Sequence, residues 1–110
     1  MGVLAGKAAL VTGASRGVGA AIAKSLAVEG AAVTVNYLKS AGRALEVVDV
    51  IRENGGEAMP YRADITDEEA VHEMVRAAAE GFGPVDVLIN NALPDYRFDP
   101  ENRKDLLSMR

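Results

Sequence analysis

Four short apolar runs, separated by segments of helical period, constrain this chain more than any other feature. The runs are AALVT (8–12), AAVTVNY (31–37), EAMPYRA (57–63) and VDVLIN (85–90), each bounded by Gly, Pro or polar residues. Runs of this length and composition predict strands. Between them, Val18, Ile22 and Leu26 share one helical face. Ala44, Leu45, Val47, Val48 and Ile51 share a second, and Val71, Met74, Val75 and Ala78 a third. Thr66 and Glu69 have capping-box spacing ahead of the third helix, while ENGG and EGFGP are helix stops. Strands alternating with helices require right-handed crossovers and a parallel sheet. AALV and VDVLI are apolar enough for strands covered on both faces. The expected class is α/β, doubly wound.

Composition narrows the function classes. At 110 residues and 49% hydrophobic, the chain can build one core but not two ordinary domains. Twelve basic and sixteen acidic side chains give a net charge of −4. No Lys/Arg cluster could neutralise a row of phosphates, so nucleic acid is not an expected partner. The absence of cysteine excludes a disulfide framework or a thiolate metal site and is compatible with a reducing compartment; a cytoplasmic location is the expectation. No apolar run approaches the ~18 residues that span a bilayer, and MGVLAG misses the myristoylation pattern because Gly6 replaces the required Ser or Thr. His72 lies between Glu68 and Arg76 at helical spacing, the pattern of a solvent-facing stripe rather than a metal ligand. The last stretch is a polar loop followed by a helix start, with Asp99 as cap and Pro100 at the first helical position.

The chemistry is concentrated in LVTGASRGVG (10–19), at the junction of the first strand and the first helix. Unpaired N–H groups and the helix dipole attract an anion at such a junction. Gly13 suits a tight turn, Gly17 a close backbone approach to a pyrophosphate, and Gly19 close packing of helix on strand. The spacing is neither G-x-G-x-x-G nor a Walker loop. It is T-G-x-x-x-G-x-G, and in this it resembles the glycine motif of the short-chain dehydrogenase/reductase family.

That resemblance covers nearly the whole chain and carries further expectations. Asp64, followed by Ile65 in ADITD, matches the aspartate that contacts the adenine ring, and Asn90, Asn91 and Ala92 match the start of the family's N-N-A-G. One departure is Leu93, which stands in place of that motif's glycine and fills space a glycine leaves open. The implied fold is a partial Rossmann-type sheet of four strands in order 3-2-1-4 with three to four helices. The implied cradle comprises Thr12, Gly13, Ser15, Arg16, Gly17, Val18 and Gly19. NAD-preferring members end the second strand with an acid that binds the ribose hydroxyls, whereas Tyr37 stands there in this chain. With Arg16 in the loop and Lys39 beyond the strand, charge complementarity favours NADP(H). Lys39 reads equally well as a solvated charge, and Arg43 better so.

Family members reduce a carbonyl by hydride transfer, with a Tyr acid and a Lys in Y-x-x-x-K, and a Ser, stabilising the alkoxide. Ala41 follows Tyr37 by four positions, Ile65 follows Tyr61 and Pro100 follows Tyr96, so no tyrosine has its lysine. Residues 1–110 therefore read as a dinucleotide-binding half-domain without the catalytic half, closest in type to 3-oxoacyl-acyl-carrier-protein reductases. Its last strand is expected to form an exposed apolar edge, promoting self-association. A non-catalytic dinucleotide-binding or sensor module is the alternative reading. A methyltransferase is disfavoured by Tyr37 and the Thr12-Gly13 entry.

Overall fold

The computed structural model describes residues 2–15 and 17–91; the expected helix start at Asp99 and Pro100 lies outside them. In chain order the elements are β1 (Ala8–Val11), α1 (Gly17–Val28), β2 (Ala32–Tyr37), α2 (Ala41–Glu53), β3 (Glu57–Arg62), α3 (Glu68–Phe82) and β4 (Val85–Ile89). The four strands are parallel in the order β3-β2-β1-β4, as expected, with three helices among the described residues. Pro60 sits in β3, an edge strand, where a residue without an N–H is tolerated.

Alternate strand residues feed two cores, which is why the strands are apolar on both faces. Ala9, Val11, Val33, Val35 and Ala58 pack against Ala20 and Ala23 of α1 and Ala44, Val47, Val48 and Ile51 of α2. On the other face, Leu10 and Ala63 meet Met74 and Ala78 of α3. Between β1 and β4 the register shifts at Ala8/Ala9, so that Asp86 has no opposing partner. Its Oδ2 accepts the buried Ala8 N–H at 2.9 Å, so this backbone donor is satisfied by a side chain.

Three expectations from periodicity are corrected. Val18 is 68% exposed, because α1 seats itself on Gly19, Ala20 and Ala23, one position round from the Val18 stripe. These small residues let the helix approach the sheet closely, and Ile22 and Leu26 flank the contact half-buried. Leu45 and Val75 are likewise exposed, lying beyond the edges of the buried faces of α2 and α3. The cap of α3 is Asp67, not Thr66: its carboxylate accepts the N–H groups of Glu69 and Ala70. Thr66 turns back to Asp64 instead. The glycine stops are as expected, with Gly55 and Gly83 at φ +85° and +89° beyond α2 and α3. β4 pairs only with β1 among the described residues, and its Leu88 is 45% exposed.

Candidate functional site

The carboxyl ends of the strands converge on the glycine turn. Because β2 lies on one side of β1 and β4 on the other, the strand order reverses at β1, and in open parallel sheets ligands bind above such a switch point. Thr12 links the β1 and β4 sides of that point. Its backbone N–H donates to Ile89 O at 3.0 Å, and its hydroxyl oxygen accepts the Asn91 N–H at 2.9 Å. The hydroxyl proton is within reach of Asn90 Oδ1, at 3.1 Å, and of Ile89 O, at 3.4 Å. Asn91 returns the tie by donating from Nδ2 to Gly13 O at 3.3 Å.

Gly13 turns the chain at φ +60°, a conformation that favours glycine. Both of its backbone polar groups are occupied, since its N–H donates to Asn36 Oδ1 at 3.2 Å while its carbonyl accepts from Asn91. The Ala14 N–H is occupied too, donating to Asn36 O at 2.9 Å. The donors left for an anion among the described residues are therefore Ser15, whose N–H makes no hydrogen bond there, and the first turn of α1 from Gly17, whose N–H groups have no acceptor within the helix. Gly17 has φ +62°, and a Cβ added there would meet no protein atom within 4 Å. Gly19 is the opposite case. A Cβ there would run into the Gly13 carbonyl and lie 2.7 Å from Asn91 Nδ2, so α1 reaches the turn only because this side chain is absent.

The other expected site residues surround this cradle. Ser15 is half-buried in the turn and Val18 exposed on the first turn of α1. Tyr37 ends β2 half-buried, and Lys39 follows it, exposed. Asp64 and Ile65 lie beyond β3, Asp64 exposed and Ile65 half-buried. Arg16 and Ala92 lie outside the described residues, as does Leu93. His72 is exposed, 3.9 Å from Glu68, on the outer face of α3. A cavity of about 740 Å³ lined by Lys7, Lys24, Ala31, Asn54, Glu57 and Phe82 opens at the opposite ends of the strands. It is remote from the cradle, and the positions of the unpaired helix donors and glycines, rather than concavity, mark the site.

The Asp64 carboxylate is partly committed. Its Oδ1 accepts both the Thr66 hydroxyl, at 2.6 Å, and the Thr66 N–H, at 2.9 Å, while Oδ2 makes no hydrogen bond among the described residues. The hydroxyl, then the N–H, and more weakly the Arg62 charge hold its pKa below the ordinary carboxylate value, against a small opposing desolvation. A depressed pKa stabilises the turn above the unfolded-state value, and this contribution is lost as pH falls through the folded-state value. Thr66→Val should raise the Asp64 pKa in an NMR titration, shifting that loss to higher pH. An unchanged pKa would remove the hydroxyl as its main cause.

Sequence reasoning missed Asn36. It is 2% exposed, and its Nδ2 donates towards Ala63 O at 3.2 Å, Tyr61 O at 3.3 Å and Tyr37 O at 3.4 Å. A polar residue in a run of strand period was the available signal, but nothing local indicates what the amide would bind.

Residues 7–102 match the family model described as short chain dehydrogenase. An uncharacterized oxidoreductase of Methylorubrum extorquens is 50% identical over 92 residues, 84% of this chain and 37% of that protein. A 3-oxoacyl-[acyl-carrier-protein] reductase of Staphylococcus epidermidis is 48% identical over 86 residues, 78% of this chain and 35% of that protein. Among solved structures, a short chain dehydrogenase of Burkholderia cenocepacia in complex with NADP superposes with a TM-score of 0.81 at 48% identity, covering 90% of this chain and 40% of that one. The chain thus spans little more than a third of the length of these curated relatives. Its glycine turn, its parallel sheet and the match over residues 7–102 all agree: the chain belongs to the short-chain dehydrogenase family.

Proposed function

We propose that residues 1–110 are the dinucleotide-binding part of an NADP(H)-dependent oxidoreductase that reduces a carbonyl. The observation that carries this reading is the free first turn of α1 at the switch point, with open space over Gly17 and no side chain at Gly19. The residues fit a pyrophosphate there, with Ser15, Gly17, Val18 and Gly19 lining it and Thr12 and Gly13 shaping the turn. Asp64 and Ile65 would border the adenine, and Asn90, Asn91 and Ala92 the crevice between β1 and β4. When bound, NADPH supplies the hydride for the reduction. This chain's own residues bind and orient it.

The phosphorylated cofactor is favoured by the chemistry of the β2 end, where Tyr37 and Lys39 stand and no carboxylate repels a 2′-phosphate. The NADP bound to the Burkholderia relative supports the same choice. Arg16 is assigned the main phosphate contact. Wild type should bind NADPH more tightly than NADH, and Arg16→Ala should weaken NADPH about tenfold with little effect on NADH, as expected for loss of one charge-assisted contact. Equal affinity for the two cofactors, unchanged by the substitution, would overturn this assignment. The Staphylococcus relative makes a 3-oxoacyl thioester the substrate class to test first. Residues 1–110 contain no Y-x-x-x-K, so the reading assigns them no turnover of their own. A cytoplasmic location and self-association through the apolar β4 edge complete it.

A further inference from the structure

We propose that Asn36 is a positioning residue for the dinucleotide, holding the glycine turn at a fixed distance from the β3 exit that leads into Asp64. The inference rests on the cofactor reading above and adds to it a residue that, by its burial, does not itself meet the ligand. The Asn36 amide is used at both ends. Its Oδ1 accepts the Gly13 N–H, while Nδ2 faces the Tyr61 and Ala63 carbonyls, with Tyr37 O a longer third contact. Its own carbonyl accepts the Ala14 N–H, so one residue of β2 anchors two successive residues of the turn.

This arrangement does two things to the site. It occupies the Gly13 and Ala14 N–H groups, so that the donors from Ser15 into the first turn of α1 define where an anion sits. It also ties the turn to Ala63, the residue before Asp64, so the pyrophosphate and adenine ends of the site cannot drift apart independently. Only a side chain with one acceptor and one donor at the same reach serves both ends, which singles out asparagine. Aspartate keeps the acceptor for Gly13 but turns an oxygen towards two carbonyl oxygens, unless it is protonated. The partners of the amide are all backbone groups, and of the ionisable residues flanking Ala63, Arg62 and Asp64 are both exposed.

The test uses the full-length gene product and NADPH titrations of the folded fraction of Asn36→Asp and Asn36→Ala, with wild type measured at every pH because the ligand's own 2′-phosphate titrates. At pH 8 both variants should bind about tenfold more weakly than wild type, the scale of one lost buried hydrogen bond. Towards pH 5.5 the Asn36→Asp deficit should shrink as its carboxyl protonates and regains a donor, while the Asn36→Ala deficit should stay constant. Wild-type affinity in a folded variant, or a pH-independent Asn36→Asp deficit, would overturn the proposal. NMR of the unmutated protein covers the case in which neither variant folds. There the Asn36 side-chain NH2 should give two distinct, slowly exchanging protons before NADPH is added, and a rapidly exchanging pair would overturn the clamp. If wild type binds no NADPH, the cofactor reading fails and the positioning role with it, whereas variants that match a binding wild type remove the role of Asn36 alone.

Discussion

Gly19→Ala should weaken NADPH binding by more than tenfold and lower stability by about 1–3 kcal/mol, the usual cost of forcing extra volume into a packed contact. The new methyl would strike the Gly13 carbonyl, a backbone atom, and crowd Asn91 Nδ2, a movable one. Moving the amide gives no relief, because it would break the tie from Asn91 to Gly13 that spans the switch point. The helix must therefore back away from the turn, carrying its free N–H groups out of reach of a phosphate seated in the crevice. Gly17→Ala tests the same region differently. Its methyl meets no protein atom, so folding suffers only from the strained φ of +62°, whereas the methyl occupies space the ligand would use. Isothermal titration alongside thermal melts separates the two. A Gly19→Ala protein with unchanged affinity would show that α1 does not need its seat on Gly13.

Met74→Ala should cost about 2–5 kcal/mol, a large share of the roughly 5–15 kcal/mol that holds a typical domain together. The reason is the asymmetry of the two cores. The face covered by α1 and α2 spreads its burial over many aliphatic residues, while the apolar cluster under α3 consists, among the described residues, of Leu10, Ala63, Met74 and Ala78 with a partly buried rim. Met74 is 0% exposed and is the one large side chain that α3 commits to that cluster without exposure. Val75→Ala, at a side chain 39% exposed on the same helix, is the matched control and should cost well under half as much. Urea midpoints at constant m-value read the difference. Equal midpoints for the two variants would mean that α3 is held by something other than Met74.

Local chemistry accounts for what sequence reading reached. Strand and helix order, the glycine stops and the placement of the glycine turn are properties of short segments, fixed by period, by the missing Cβ and by the polarity of flanking residues. The Val18 stripe failed because period alone assigns the larger side chains inward. In this fold the helix is drawn so close to the turn that glycine and alanine take the buried face. Thr66 and Asp67 show the same limit at a cap. Both residue types are competent, and in the fold the Thr66 hydroxyl donates back to Asp64 while the Asp67 carboxylate accepts the helix N–H groups.

The sequence by itself determined the parallel α/β alternation and the strand-to-helix position of TGASRGVG, because both follow from contacts within a few residues. Tertiary structure alone decided which donors in that loop are free. Gly13 and Ala14 are spoken for by Asn36, and Gly13 again by Asn91, residues 23 and 78 positions from the turn. A buried amide has no preference for a partner until the sheet brings one within hydrogen-bond distance, and only then does it become a constraint on the site.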